Sequence, residues 1–551
     1  MKTNLTAAAI TALGISPALI SPASAADMAL KAPIYAKAPV AAPFSWSGFY
    51  VGGHVGGVIG AGRSDDAIAL NPAGVPAVAG PGVLNPVSAT SSANSPSGVI
   101  GGGQIGYNWQ TSDWVFGVEG DVALSGARSS LKAPSFLAST TIVAPSTLAY
   151  SNEEKLRWLS TARARLGWAD NFSLWYVTGG VAWGSVQSNY AFQNSGSVTF
   201  ATNPAAFGAN TMKTGWAVGG GVETTLAWLG AGNRWSTKIE YLYVDLGTVG
   251  NTFTVPLAVG VGDYTATSSS RIQEHLVRVG LNYRYGGADQ ANAGASSTAD
   301  CTTCNWTGFY LGANIGGAIG HTNTADSVSL NPPGGFASVT NPVMGVSASA
   351  APVGVLGGAQ IGYNWQTANW VLGAEADFGG SSQRDHIDRS IFTASTVVVA
   401  PTTVTASGEQ KLTSLFTLRG RLGFAQGSNL WYATGGAAAG RVTSNYAFQA
   451  NHSGFSVGVL GPAEGSASFG TTKWGWTVGG GVERILPWAS GNWSAKLEYL
   501  FVDLGTVNNS FGVPITGGTA AYAYTSSINL QDHVVRLGMN YRFGGPVAAV
   551  Y

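Results

Sequence analysis

The sequence predicts an all-β fold, a transmembrane antiparallel up-and-down β-barrel. Three observations predict it: an exported N-terminus with no spanning helix behind it, period-two alternation along segments of barrel-strand length, and a repeat that covers the whole chain. Composition narrows the field first. Net charge is zero and only 10% of the 551 residues are charged, against about a quarter in a soluble domain. No Lys/Arg tract offers a grip on polyphosphate, so nucleic-acid binding is excluded. The 78 glycines follow no three-residue period, and 18 Trp, 20 Tyr and 21 Phe are too many for a disordered chain.

Export is read from the first residues. Lys2 gives the positive start, Leu5 to Ile20 is apolar, and Ala23-Ser24-Ala25-Ala26 offers small-residue cleavage sites after Ala25 or Ala26. Residues 1–26 are therefore expected to be a signal peptide, followed by a Pro/Ala-rich periplasmic segment over 27–43. No later run approaches the ~18 apolar residues of a spanning helix. An apolar, exported chain without such a helix can satisfy its backbone in lipid only as a closed barrel.

The repeat sets the organisation. Trp46-Ser47-Gly48-Phe49-Tyr50 returns as Trp306-Thr307-Gly308-Phe309-Tyr310, Gln104 to Gln110 as Gln360 to Gln366, and Glu240 to Gly247 as Glu498 to Gly505. Residues 44–287 and 305–551 form two barrel repeats, and 288–304 a small-residue periplasmic linker. Strands in the first copy are expected at 46–59, 99–110, 114–124, 156–168, 174–188, 213–227, 235–246 and 274–285. Long Ser/Thr/Ala/Asn/Pro loops follow strands one, three, five and seven, and tight turns the others. Two eight-stranded barrels in tandem are expected, because an eight-stranded copy can close on itself and the linker gives a flexible span of roughly 25 Å. The alternative is one sixteen-stranded barrel.

Alternation assigns the faces. Trp114, Phe116, Val118 and Val122 share one side of their strand, and Glu119 and Asp121 the other. Val277, Val279, Leu281, Tyr283 and Tyr285 face out where Arg278, Asn282 and Arg284 face in. The inward charges of the first copy are Glu119, Asp121, Glu223 and Glu240 with Arg163, Arg165, Lys238 and Arg278. The second copy has Glu375, Asp377, Glu483 and Glu498 with Arg419, Arg421, Lys496 and Arg536. In a lumen too narrow for bulk water such charges must pair, because a lone one costs several kcal/mol. A charge-neutral plug is the first reading. A selectivity constriction in a water-filled pore is the second.

The starts at 46–50, Gly106-Tyr107-Asn108-Trp109, Arg163-Ala164-Arg165-Leu166-Gly167, Trp175 to Gly180 and the closing Val279 to Tyr285 resemble the opacity-type outer-membrane β-barrel family, which includes porin-like surface antigens of alphaproteobacteria. The resemblance covers nearly all of both copies. It implies a barrel in the outer membrane of a Gram-negative bacterium, with outer-membrane lipid, lipopolysaccharide as a candidate, and the barrel assembly machinery as partners. Members usually carry one barrel and end on an aromatic residue that this machinery reads. Here the chain is tandem, and both Phe543 and Tyr551 are available for that signal.

Chemistry is sparse elsewhere. Gly101-x-Gly103-x-x-Gly106 matches a dinucleotide fingerprint formally, but a strand follows it and not a helix. Cys301-x-x-Cys304 lacks further zinc ligands and a βαβ context, and a local disulfide is expected in an oxidising compartment. His54, His275, His321, His386, His452 and His533 show no ligand spacing. Asp385-His386-Ile387-Asp388 is a weak cation candidate in what reads as a solvated loop. His275 and His533 are expected outward at the extracellular start of strand eight. No enzyme activity, cofactor or metal is expected. A structural, envelope-stabilising surface protein is the first functional expectation. A porin for small solutes and a loop-mediated adhesin of unknown ligand are the alternatives.

Overall fold

The computed structural model describes residues 45–543 apart from 72–87, 95, 138–145, 170–172, 196–203, 227–233, 257–262, 286–304, 332–343, 394–401, 453–461, 487–491 and 517–520. The expected signal peptide, the 27–43 segment, the linker with Cys301 and Cys304, and Tyr551 lie outside the described residues. The first copy holds β1 (Gly48–Gly60), β2 (Gly62–Asn71), β3 (Ser88–Asn94), β4 (Ser97–Thr111), β5 (Trp114–Ser125), β6 (Arg128–Leu137), β7 (Ser146–Ala169), β8 (Ser173–Ser195), β9 (Ala205–Thr225), β10 (Trp235–Pro256) and β11 (Asp263–Tyr285). The second holds β12 (Gly308–Asn331), β13 (Met344–Ala350), β14 (Val353–Thr367), β15 (Trp370–Ser381), β16 (Arg384–Thr393), β17 (Thr402–Gln426), β18 (Asn429–His452), β19 (Ala463–Ile485), β20 (Trp493–Pro514) and β21 (Ala521–Phe543).

All ladders are antiparallel, and they close two rings. In the first, β1 pairs with β4, and pairing continues through β5, β7, β8, β9 and β10 to β11, which returns to β1 with Val55 opposite Val279. In the second, β12 pairs with β14 and, through β15, β17, β18, β19 and β20, meets β21 with Ile315 opposite Leu537. Among the described residues, two-residue turns join β4 to β5, β14 to β15 and β17 to β18 at one end of the rings. Ser112 (φ 54°) and the equivalent Ala368 (φ 52°) sit in the left-handed region there, which lets a two-residue hairpin follow the strand twist.

Away from those turns the strands outrun the expected bounds. β7 and β11 begin ten or more residues before the expected 156 and 274, and much of what reads as long loop is strand. The reason is compositional. These extensions are rich in Ser, Thr, Ala and Asn and lack the apolar stripe that flags a membrane strand, yet they pair regularly because their neighbours do.

The extensions also cross between copies, a correction to the expectation that each copy pairs only within itself. β3 pairs with β16, Ser91 opposite Asp388, and β6 pairs with β13, Leu131 opposite Ala348. A bulge makes room for this. Between Asp245 and Gly247 the register of β10 shifts by one residue. Gly247 takes φ 75°, its N–H donates to Asp245 Oδ1 at 2.8 Å, and the extra residue, Leu246, is buried. The ladder from β10 to β9 stops at Asp245. Asp503, Leu504 and Gly505 repeat the device on β20, where φ > 0 again suits glycine.

Beyond the two bulges the strands therefore form two eight-stranded sheets of mixed parentage. One runs β10, β11, β2, β3, β16, β17, β18, β19; the other β20, β21, β12, β13, β6, β7, β8, β9. A single apolar core serves both, including Tyr150, Tyr190 and Phe192 from the first copy and Tyr446, Phe448 and Tyr522 from the second.

Candidate functional site: the charged lumens

Each ring encloses a charge cluster, set by strand parity. In β5 the pleat that exposes Phe116 and Val118 turns Glu119 and Asp121 inward, and in β7 Arg163 and Arg165 do the same between exposed Leu166 and its neighbours. Arg163 is the hub. It donates to Glu119 Oε1 at 2.5 Å, Asp121 Oδ2 at 2.9 Å and Glu240 Oε1 at 3.0 Å. Arg165 reaches Glu223 at 2.9 Å, Lys238 reaches Glu119 at 2.8 Å, and Arg278 reaches Glu240 at 2.6 Å and Asp121 at 3.0 Å. The eight sequence-predicted inward charges of this copy meet in one cluster, four of each sign, and all are buried.

The second ring repeats the contacts. Arg419 joins Glu375, Asp377 (2.8 Å) and Glu498 (2.9 Å), Arg421 joins Glu483 (2.8 Å), Lys496 joins Glu375 (2.9 Å), and Arg536 joins Glu498 (2.6 Å) and Asp377 (2.9 Å).

Polar partners complete the clusters, and sequence reasoning omitted them. Tyr50 Oη donates to Glu119 at 2.8 Å and accepts from Arg165 at 2.8 Å. Tyr176 Oη donates to Glu240 at 3.0 Å while its ring lies 4.0 Å from the Arg165 guanidinium. Thr161, Ser236, Asn282 and Gln104 add further bonds. Every strand of the first ring thus supplies a member. All share the parity of the charges, so the same alternation would have found them. Gly106 gives the Tyr50 hydroxyl its place, since a Cβ there would collide with the phenol. His54 approaches Arg278 at 3.4 Å where the second copy has Asn314. Each carboxylate and guanidinium of the cluster has at least one oppositely charged partner, although Asp121 Oδ1 and Arg165 Nε are buried without a hydrogen bond, and the cluster holds register across the ring.

Apolar layers bound the clusters. On the turn side of the first ring lie Trp46, Val115, Ala169, Leu174 and Tyr176, and on the other Val58, Ile100, Leu159, Leu242 and Leu276. The second ring has the same two layers.

The remaining candidates fall apart or move. Gly101 and Gly103 lie within β4, with no helix behind them. Asp385 and His386 stand on strand β16, not in a solvated loop, and point to opposite faces: Asp385 is buried and His386 exposed. No group of metal-ligating side chains occurs among the described residues. His275 and His533 lie twelve residues into β11 and β21 rather than at their starts, and each meets a tyrosine hydroxyl, Tyr241 or Tyr499, at 2.7 Å.

The family described as outer membrane protein beta-barrel domain matches residues 290–543, a span that contains the second ring. The 31 kDa outer-membrane immunogenic protein of Brucella melitensis is 30% identical over 283 residues, 48% of this chain and 93% of that protein. The chain belongs to the outer-membrane β-barrel family. The 22 kDa outer membrane protein of Rhizobium leguminosarum is 30% identical over 146 residues, 26% of this chain and 52% of its own. The toluene transporter TodX of Pseudomonas putida overlays 90% of both chains at 8% identity, with a TM-score of 0.21, which carries no weight for function. For an outer-membrane β-barrel the outer faces are in keeping: Val55, Ile105, Val118, Val177, Val279 and Leu281 are exposed around the first ring, with Trp109, Trp114, Trp168 and Tyr285 at its turn end.

Proposed function

We propose that the chain is a tandem duplication exported through residues 1–26 as a cleaved signal peptide. Its two rings are two eight-stranded barrels standing side by side in the outer membrane, and its role is to stabilise the envelope and present a surface. The 93% coverage of a Brucella relative by 48% of this chain supports one whole barrel per copy. The tight turns face the periplasm, and the fused outer sheets face outside the cell. Lipid, the assembly machinery and, at the surface, lipopolysaccharide are the partners of this reading, and no enzymatic activity belongs to it.

One observation carries it over the porin alternative: each lumen is filled by a charge-balanced cluster of buried side chains between two apolar layers. A conducting constriction needs water beside its charges and an excess of one sign. Planar-bilayer recording on the full chain tests this. Barrels plugged in this way should give no reproducible current steps. Steps of defined size that change in Arg163→Ala would overturn the plug and favour the porin.

A further inference from the structure

The two barrels touch above and below the membrane zone and stand apart within it. Above, the ladders of β3 with β16 and β6 with β13 join them. Below, Asn429 Nδ2 donates to Ser173 Oγ at 3.3 Å across the two periplasmic turns. Between lies a slot of about 1100 Å³. Its walls are the same face of each copy: Leu166, Trp168 and Val279 stand opposite Leu422, Phe424 and Leu537.

We propose that this slot binds phospholipid from the periplasmic leaflet, with its acyl chains between the barrels. The inference rests on the two-barrel reading above.

Four observations lead to it. The wall side chains belong to the lipid-facing set, with Val279 50% and Leu537 58% exposed. Water would find few polar partners on such walls. Left empty, the slot would forfeit dispersion contacts along both of them. At about 30 Å³ for a water-sized group, the volume has room for more than thirty methylene-sized groups, the scale of a lipid's chains. The aromatic weight fixes the leaflet: Trp114, Trp168, Trp175, Trp370, Phe424 and Trp431 ring the periplasmic end, the depth at which indoles meet headgroups. The cross-copy ladders roof the other end, where the headgroup of lipopolysaccharide would have to sit.

The test uses the full chain inserted in vesicles of phosphatidylethanolamine and phosphatidylglycerol, extracted in mild detergent and weighed by native mass spectrometry. Wild type should retain at least one phospholipid. Val279→Trp with Leu537→Trp narrows the slot from both walls and should reduce that retention, whereas Ile105→Trp, exposed on β4, no residue of which lines the slot, should keep it. A readout without variants uses phospholipid with a photoreactive acyl chain, whose cross-links should gather at Leu166, Val279, Leu422 and Leu537 after extraction. A bare wild type, retention of lipopolysaccharide alone, equal loss in both variants, or cross-links spread evenly around the barrels each overturn the site. Heat-modifiable migration reads insertion separately. Inserted but bare protein refutes the lipid site alone, and protein that never inserts refutes the barrel reading as well.

Discussion

The barrel walls and the outer sheets are built from the same strands with opposite insides. β8 passes through both. At membrane depth its outward residues are Trp175, Val177, Val181 and Trp183, and its inward ones include Tyr176 and Thr178 beside the charge cluster. From Ser185 onward the outward residues are Ser185, Gln187 and Asn189, and the inward ones are Tyr190 and Phe192 in the shared core. β18 makes the same exchange, from Trp431 outward and Tyr432 inward to Asn445 outward and Tyr446 and Phe448 inward. Each segment presents outward what its surroundings dissolve. In lipid, backbone satisfaction forces closed rings, and here their interiors take the polar groups. In water, the hydrophobic effect favours a common apolar core, and sharing it between copies removes more apolar surface from solvent than two separate cores would.

The largest expected effect separates the two insides. Arg163→Ala leaves Glu119, Asp121 and Glu240 facing a vacancy in the first lumen, and should destabilise that barrel by about 3 to 5 kcal/mol, read as a lower urea midpoint by tryptophan fluorescence. An unchanged midpoint would mean that the cluster is wet and screened.

Phe192→Ala removes a buried ring from the outer core at a cost of about 3 to 5 kcal/mol. The loss should fall on the outer sheets of both copies at once, because the core is joint. Near-UV dichroism should then show tyrosines of the outer region melting ahead of the barrels. Melting confined to one copy would break the claim of a shared core.

The outer faces differ by surroundings alone, so one substitution at two heights sharpens the contrast. Leu281→Arg, exposed at mid-membrane, should cost about 2 to 4 kcal/mol and impair insertion. Ser269→Arg, exposed on the extension of the same strand, should leave insertion into vesicles as in wild type. Equal impairment at both positions would contradict the assigned membrane zone.

The smallest effect concerns a single carboxyl above the membrane. Asp66 is buried and accepts from Tyr150 at 2.7 Å and Ser64 at 3.0 Å, yet burial pushes its carboxyl above the usual range. The folded outer sheet holds that proton more tightly than the unfolded chain does. Its stabilising contribution is complete below the ordinary carboxyl range and is lost as pH rises through the raised value. Asp66→Asn should therefore raise the outer-region melting midpoint at pH 8 and leave it unchanged at pH 3.5. A gain of equal size at both pH values would point to packing instead of ionisation.

Much of the barrel was legible because parity is a strict code. One alternation placed Glu119, Arg163 and Arg278 inward and Val118 and Leu281 outward, and the recurrence of Trp46 to Tyr50 at Trp306 to Tyr310 fixed the copies. Tyr50 and Tyr176 were equally legible by parity, but an aromatic on a barrel strand reads first as lipid-facing. The outer strands were not read, since Ser, Thr and Ala alternate with little contrast. Even there, the swap of Trp183 for Gln187 outward and of Thr178 for Phe192 inward is written in β8.

By itself the sequence determined the strand faces and the two charge sets, because side-chain polarity is a local property, whereas the bulges at 245–247 and 503–505 emerged only with the pairing. Only the tertiary structure decided which strand lies beside which: β3 with β16, β6 with β13, and no β9 ladder above Asp245. Pairing is made by backbone N–H and C=O groups that every residue carries alike, so a weakly patterned edge does not specify its partner. The joint core of Tyr190, Phe192, Tyr446 and Phe448 supplies the free energy that chooses.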